Sequence, residues 1–234
     1  MVLDPEQRRT YLDRILEMEG LPHVREDPLA AYCPISLTSV PEELKTYLKA
    51  RQRALREEVL KRSGIDSYDP GSAPLSPDLD LTARPDEVYA VDMARVAGAR
   101  FFVGHSILPS DGKGAEMEMA KTLNRISVIL MDRRIRVSRM QPHRTIYLQY
   151  EDFDAQAPQF VPVFDMLRDF EPGMGFNGNV PVLLGFENPG RVVDLEEEVY
   201  REFPHLQYRY DGSVPILRLR AENPELFYEH KVLF

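Results

Sequence analysis

The sequence predicts an α/β protein: a parallel sheet flanked by helices, followed by a smaller α+β appendage. Between residues 30 and 150, short apolar runs alternate with helix-patterned stretches, the signature of βαβ units. After about residue 151 the alternation gives way to shorter elements, with Asp211-Gly212 between two strand-like runs as a hairpin turn. A hydrophobic fraction of 43% over 234 residues supplies a substantial core and argues against wholesale disorder.

Residues 4–19 read as a first helix, with Asp4 as cap, Pro5 at the first helical position and Gln7 at capping-box spacing. This helix forms a short N-terminal unit, 1–29, ahead of the main domain at 30–150 and the appendage at 151–234. Residues 30–37 are short and apolar, as in a buried strand, with Pro34 interrupting its pairing. Ser39 and Glu42 have capping-box spacing before a helix whose Leu44, Leu48, Leu55 and Val59 share one face; Gly64 ends it. Residues 65–68 form a short strand. The Pro-, Ser- and Asp-rich stretch 69–85 is a loop long enough to expect a functional role. Helical spacing returns through Val88, Val91 and Val96. A buried-type strand follows at 99–103, then a helix of about ten residues after Gly112 and Gly114. Strands are predicted at 127–131 and 145–148, and a helix at 160–170. Beyond it, 180–186, 206–210 and 215–219 read as strands and 194–203 as a helix.

Net charge is −9, with acids spread along the chain, which disfavours a duplex nucleic acid partner. A single nucleotide remains compatible, since a few local donors hold one phosphate. The lone Cys33 excludes an intrachain disulfide and a cysteine-based zinc site, and fits a reducing, cytoplasmic setting. No apolar run is long enough for a membrane span, and the N-terminal residues lack the pattern of an export signal.

The stretch that carries chemistry is Asp92 to Ala120. It reads as a helix bearing one acid, a buried strand, a polar loop, and then Gly112-x-Gly114-x-Glu116 opening a helix. Loops at the carboxyl ends of parallel strands are where open α/β sheets bind ligands. Glycines there allow close approach of backbone N–H groups to an anionic or polar ligand. Glu116 is expected in the first turn of the helix, where the dipole favours an ionised carboxylate suited to nucleophilic attack. Two carboxylates converging on a sugar divide the labour of glycosidic chemistry between attack at C1′ and assistance to the leaving group.

The pattern Pro109-Ser110-x-Gly112-x-Gly114-x-Glu116-x-x-x-Ala120, preceded by Asp92 and the strand at 99–103, resembles the nucleoside 2-deoxyribosyltransferase superfamily. Its form is most similar to the hydrolase branch, the 2′-deoxynucleoside 5′-monophosphate N-glycosidases. The resemblance spans roughly residues 30–148, and its specific portion is 92–120. It implies a flavodoxin-like sheet and double displacement through a glycosyl-enzyme ester, without metal or organic cofactor. Glu116 would be the nucleophile, Asp92 the acid or orienting carboxylate, and Ser110 a phosphate contact. Gly112, Gly114, Tyr32 and Ser36 would complete the substrate site. Family members assemble so that a neighbour's loop completes each site, which implies a homodimer or larger homo-oligomer with Ser138, after Met131, contributing. The sequence departs from the family in its first-strand turn, where Tyr32-Cys33-Pro34-Ile35-Ser36 contains no glycine. Two other readings stay open: a non-catalytic nucleotide-binding module, and a distant phosphoribohydrolase.

Other features carry plainer expectations. Glu118 faces away from Glu116 and is solvated. Met117 and Met119 are packing residues. His105 is expected to bond the backbone rather than a ligand, and no histidine has metal-ligand spacing. Arg133, Arg134, Arg136 and Arg139 form a basic cluster, read first as a solvated face and second as a phosphate or subunit contact. Gly173-x-Gly175-x-x-Gly178 matches a dinucleotide fingerprint in letters only, since it follows Glu171-Pro172 and precedes a strand.

Overall fold

The computed structural model describes residues 10, 13, 14, 16–18, 20–37, 40–74, 76, 82–108, 110–123, 125–132 and 145–169. Five strands, β1 (Asp27–Tyr32), β2 (Asp66–Tyr68), β3 (Ala99–His105), β4 (Ile126–Asp132) and β5 (Thr145–Tyr150), form one sheet. Their order is β2-β1-β3-β4-β5 and every pairing is parallel. This is the flavodoxin-like order, in which the chain reverses its direction of travel across the sheet between β1 and β3. The α/β class and the flanked parallel sheet therefore stand.

Among the described residues, the helices whose bounds are complete are α1 (Glu42–Ala54), α2 (Pro85–Gly98), α3 (Asp111–Thr122) and α4 (Phe153–Asp169), and helical residues also precede β1. α1 runs on through a π-helical stretch, Leu55–Leu60, and a 3-10 turn, Lys61–Ser63. It stops at Gly64, whose φ of 68° is the left-handed conformation glycine adopts without strain. The helix begins with Pro41 at its N-cap rather than with the expected capping box; Ser39 lies outside the described residues. α4 starts seven residues earlier than its apolar spacing predicts. Asp152 accepts hydrogen bonds from the amides of Asp154 and Ala155, and Gln156 accepts from those of Glu151 and Asp152. These caps satisfy amides that a helix start leaves unpaired.

The strand period of two sorts the core into two layers. On one face, Phe101, Val103, Val128, Leu130 and Leu148 meet Leu55, Val59 and Leu60 beside Phe153, Phe160 and Phe164 of α4. On the other, Tyr32, Phe102, Ile129 and Met131 pack against Met93 and Val96 of α2 and Met117 and Ala120 of α3. Met117 and Met119 are core residues, as expected. Because α4 shares the sheet's core, residues 153–169 belong with the α/β unit, and the boundary placed at residue 150 falls inside it. The appendage strands, the hairpin at Asp211-Gly212 and the Gly173–Gly178 motif lie outside the described residues. Among the described residues no helix is long and apolar enough to cross a membrane.

β1 also differs from the predicted strand at 30–37. It begins at Asp27 and ends at Tyr32, after which the amide of Cys33 still bonds to the carbonyl of Tyr68 at 2.9 Å. Pro34 has no amide proton to extend the ladder. The segment instead lies against β3: a Cβ on Gly104 would meet the Pro34 ring at 3.0 Å, so Gly104 permits this close approach. Gln52 donates to the Cys33 carbonyl at 2.6 Å and pins the turn from beneath.

Candidate active site

The β1/β3 switch point is where the candidate residues gather. Tyr32 is the last residue of β1, and the loop from the end of β3 leads to Ser110, the N-cap of α3. The Ser110 hydroxyl accepts from the amide of Lys113, which fixes where the helix starts. α3 therefore begins at Asp111, and Gly112 and Gly114 lie in its first turn rather than before it. Neither glycine has a positive φ, so neither is there for an unusual backbone conformation.

Glu116 follows as the sixth helical residue, one turn further in than expected, and its carboxylate accepts a 2.6 Å hydrogen bond from the Tyr32 hydroxyl. Asp92, on α2, lies close enough to the same phenol for each group to alter the other's ionisation. Three separate elements thus bring two carboxylates onto one hydroxyl. A phenol has one proton; it donates to one carboxylate at a time and accepts from the other when that one is protonated. The ring of Tyr32 is held between Tyr68 and Phe102, with centroids 5.8 Å from each.

The electrostatics reverse the expectation drawn from the helix dipole. Burial pushes the Glu116 carboxyl up to about 7, and the nearby charge of Asp92 adds to the rise. The Tyr32 hydrogen bond and Lys113 pull the other way without cancelling it. Desolvation outweighs the dipole because Glu116 lies beyond the first turn, where the dipole's influence fades. Burial also raises Asp92, which the Tyr32 bond partly offsets. Two carboxyls raised together behave as a coupled pair that retains a proton toward neutral pH. The Tyr32 phenol itself is driven well above its ordinary value, first by burial and then by the charges of Glu116 and Asp92.

A cavity of about 160 Å³ opens onto this pair. That is close to the size of a cavity that admits one six-membered aromatic ring, about 150 Å³. Its polar end carries Asp92, Glu116, Ser110 and Lys113. Its apolar wall includes Ile35 and Leu37 after β1, together with Val88 and Val91 of α2. Val88, Val91 and Asp92 share a helix face at i, i+3 and i+4, so the valines line the cavity next to the acid. The long loop after β2 forms the remaining side through Gly71, Ala73 and Ser76. This loop is anchored: Asp69 caps the 3-10 turn Pro70–Ser72 and is held by Arg56 at 2.9 Å.

Of the residues singled out from sequence, Glu116, Asp92, Tyr32, Ser110 and Gly112 come together here. Ser36 is buried beside the cavity without lining it, and Gly114 is exposed on the outer side of the helix. Ser138, Pro109 and the arginine cluster lie outside the described residues. His105 is buried, edge-on to Phe153, with Nδ1 3.3 Å from the Tyr150 hydroxyl; burial lowers it to about 3 and keeps it neutral. Glu118 is exposed and pairs with Lys121 at 2.5 Å.

Among the cavity residues that escaped the sequence reading, two are buried and polar. Lys113 is only 8% exposed, and Ser76 is buried with no hydrogen-bond partner for its hydroxyl among the described residues. Helical spacing was the available signal for Lys113, which precedes Glu116 by three positions and shares its face. Nothing in the pattern around Ser76 marks it. Among the described residues, no group of three or more His, Cys, Asp or Glu side chains is placed to hold a metal ion.

No protein-family model matches the chain, and no curated protein matches it. Among solved structures, the chain is similar to the CMP N-glycosidase BcmB of Clostridium botulinum, with a TM-score of 0.42 and 12% identity, over 58% of this chain and 98% of that one.

Proposed function

We propose that this protein cleaves or transfers the N-glycosidic bond of nucleosides or nucleoside 5′-monophosphates, with Glu116 as nucleophile. The observation that carries the reading is the convergence of Glu116 and Asp92 on the Tyr32 hydroxyl beside a cavity at the sheet's switch point. In the first step an oxygen of ionised Glu116 attacks C1′ and forms an ester. The C1′–N bond breaks, and its electron pair stays on the base nitrogen. Asp92, raised by burial, supplies the proton the departing base takes up. Water or a second base nitrogen then attacks C1′ and passes its proton to the now ionised Asp92, while the ester C1′–O bond breaks and Glu116 leaves as carboxylate. In this reading Ser110, the N-cap of α3, contacts a 5′-phosphate; its position at a helix N-terminus supports that role.

Tyr32 gives the unusual first-strand turn a purpose. Where the resembling family has a glycine-containing turn, this chain places a phenol whose proton holds one Glu116 oxygen and leaves the other free to attack.

The test is to incubate the full-length protein with the common nucleosides and their 5′-monophosphates, with and without a second base, and to follow free base by chromatography. Release without an acceptor assigns hydrolysis; release only with an acceptor assigns transfer. Tight binding of a nucleotide with no release would assign a binding module instead. No binding and no release across the whole panel would overturn the proposal.

A further inference from the structure

Lys113 is a buried lysine whose hydrogen bonds, among the described residues, go to two backbone carbonyls. Its ammonium donates to the carbonyl of His105 at 3.0 Å and to that of Leu108 at 3.4 Å. Both carbonyls belong to the segment in which β3 ends and the loop toward Ser110 begins. A lysine stem of four flexible carbons normally keeps its charge in water. Here it is turned inward, and the same side chain lines the cavity beside Glu116.

A direct ion pair would occupy the carboxylate oxygens that a nucleophile needs free. A charge tied to carbonyls a short distance away favours the ionised carboxylate through space and leaves its oxygens open. Tyr32 on β1 also favours the carboxylate, but through a hydrogen bond that occupies one of its oxygens. Asp92 on α2 is acidic and opposes ionisation, and Arg95 is engaged over the Tyr68 ring. His105, behind the lysine, is neutral.

We propose that Lys113 is a positioning residue: its tethered ammonium is a fixed countercharge that favours the ionised form of Glu116 against the cost of burial, and it ties that ionisation to the conformation of the β3–α3 loop. The inference rests on the reading of Glu116 as the reactive carboxylate, but its test involves no substrate.

The experiment follows the Glu116 side-chain carboxyl by NMR in the full chain carrying ¹³C-labelled glutamate, with Glu116→Gln identifying the resonance. An opposite charge a few ångströms from a buried carboxyl lowers its midpoint by about one pH unit or more. Lys113→Met, close to lysine in length and neutral, is therefore expected to raise the Glu116 midpoint by about one pH unit, and Lys113→Arg to restore most of it. Linkage requires the reciprocal effect. In Glu116→Gln, the Lys113 ammonium, read by lysine-selective NMR, must titrate at a pH lower by the same amount. That arm needs only a variant that keeps the lysine, so it decides the matter even where Lys113→Met does not fold. An unmoved Lys113 midpoint in Glu116→Gln overturns the proposal. An unmoved Glu116 midpoint in folded Lys113→Met does the same. Either result leaves base release, and with it the role of Glu116, to be judged separately.

Discussion

A buried carboxyl raised to about 7 makes the folded protein lose stability as the pH rises, and Glu116→Gln should remove that loss. Below its ordinary value of 4.5, Glu116 is protonated in both folded and unfolded chains, and its contribution is fully present. As pH climbs from 4.5 through 7, the unfolded chain ionises freely while the folded site resists, so stability falls across that window. The full rise corresponds to roughly 3 kcal/mol, and partial exposure reduces it toward about 2 kcal/mol. Glutamine keeps a carbonyl oxygen for the Tyr32 proton but does not titrate. It also relieves Asp92 of a neighbouring charge, which adds to the effect in the same direction. Urea unfolding of both proteins at half-unit steps from pH 5 to 8.5 should show the variant gaining about 2 kcal/mol on the wild type over that range. Parallel profiles would refute the claim that Glu116 is a desolvated carboxyl.

Three further outcomes follow from particular contacts. Gly71→Ala places a Cβ 2.7 Å from the Ile35 side chain and 3.1 Å from that of Leu37, so the cavity wall must move; a stability loss of about 1–3 kcal/mol and weaker nucleotide binding are expected, read by denaturation and calorimetry. Tyr32→Phe keeps the stacked ring but removes the proton held by Glu116. It should cost about 1 kcal/mol and shift the acidic limb of the pH–rate profile upward, since an ionised carboxylate loses its donor. Asp69→Ala removes the cap of the Pro70–Ser72 turn and the partner of Arg56. Denaturation should register a loss of about 1–3 kcal/mol, and a double-mutant cycle with Arg56→Met should show coupling of at least about 0.5 kcal/mol.

The centre of the sheet was legible because β3 and β4 are buried along their whole length and read as apolar runs; the fully buried Phe101–Val103 and Val128–Met131 are the clearest cases. The helix stop at Gly64 was legible for a local reason, the left-handed conformation only glycine takes freely. Helix starts were not. Those of α1 and α4 depend on Pro41 and on the Asp152–Gln156 exchange, which compete with equally plausible caps and apolar spacings nearby. In the site, Glu116 stood out by its spacing from the glycines, and Asp92 by its place before β3. Their ionisation did not, because desolvation depends on what surrounds a group in three dimensions rather than on where it sits along a helix. The same holds for Lys113, which looks like a surface lysine in a polar turn until the fold closes over it.

The central claim is that Glu116 attacks C1′, and one comparison tests it most directly. Base release from the substrate the panel identifies is measured at pH 8 for wild type, Glu116→Gln and Glu116→Ala, each shown to be folded and to bind that substrate. Loss of the nucleophile predicts a fall on the order of 10³-fold or more in turnover for both variants, with binding retained. Turnover by folded Glu116→Ala within about tenfold of wild type would contradict the account.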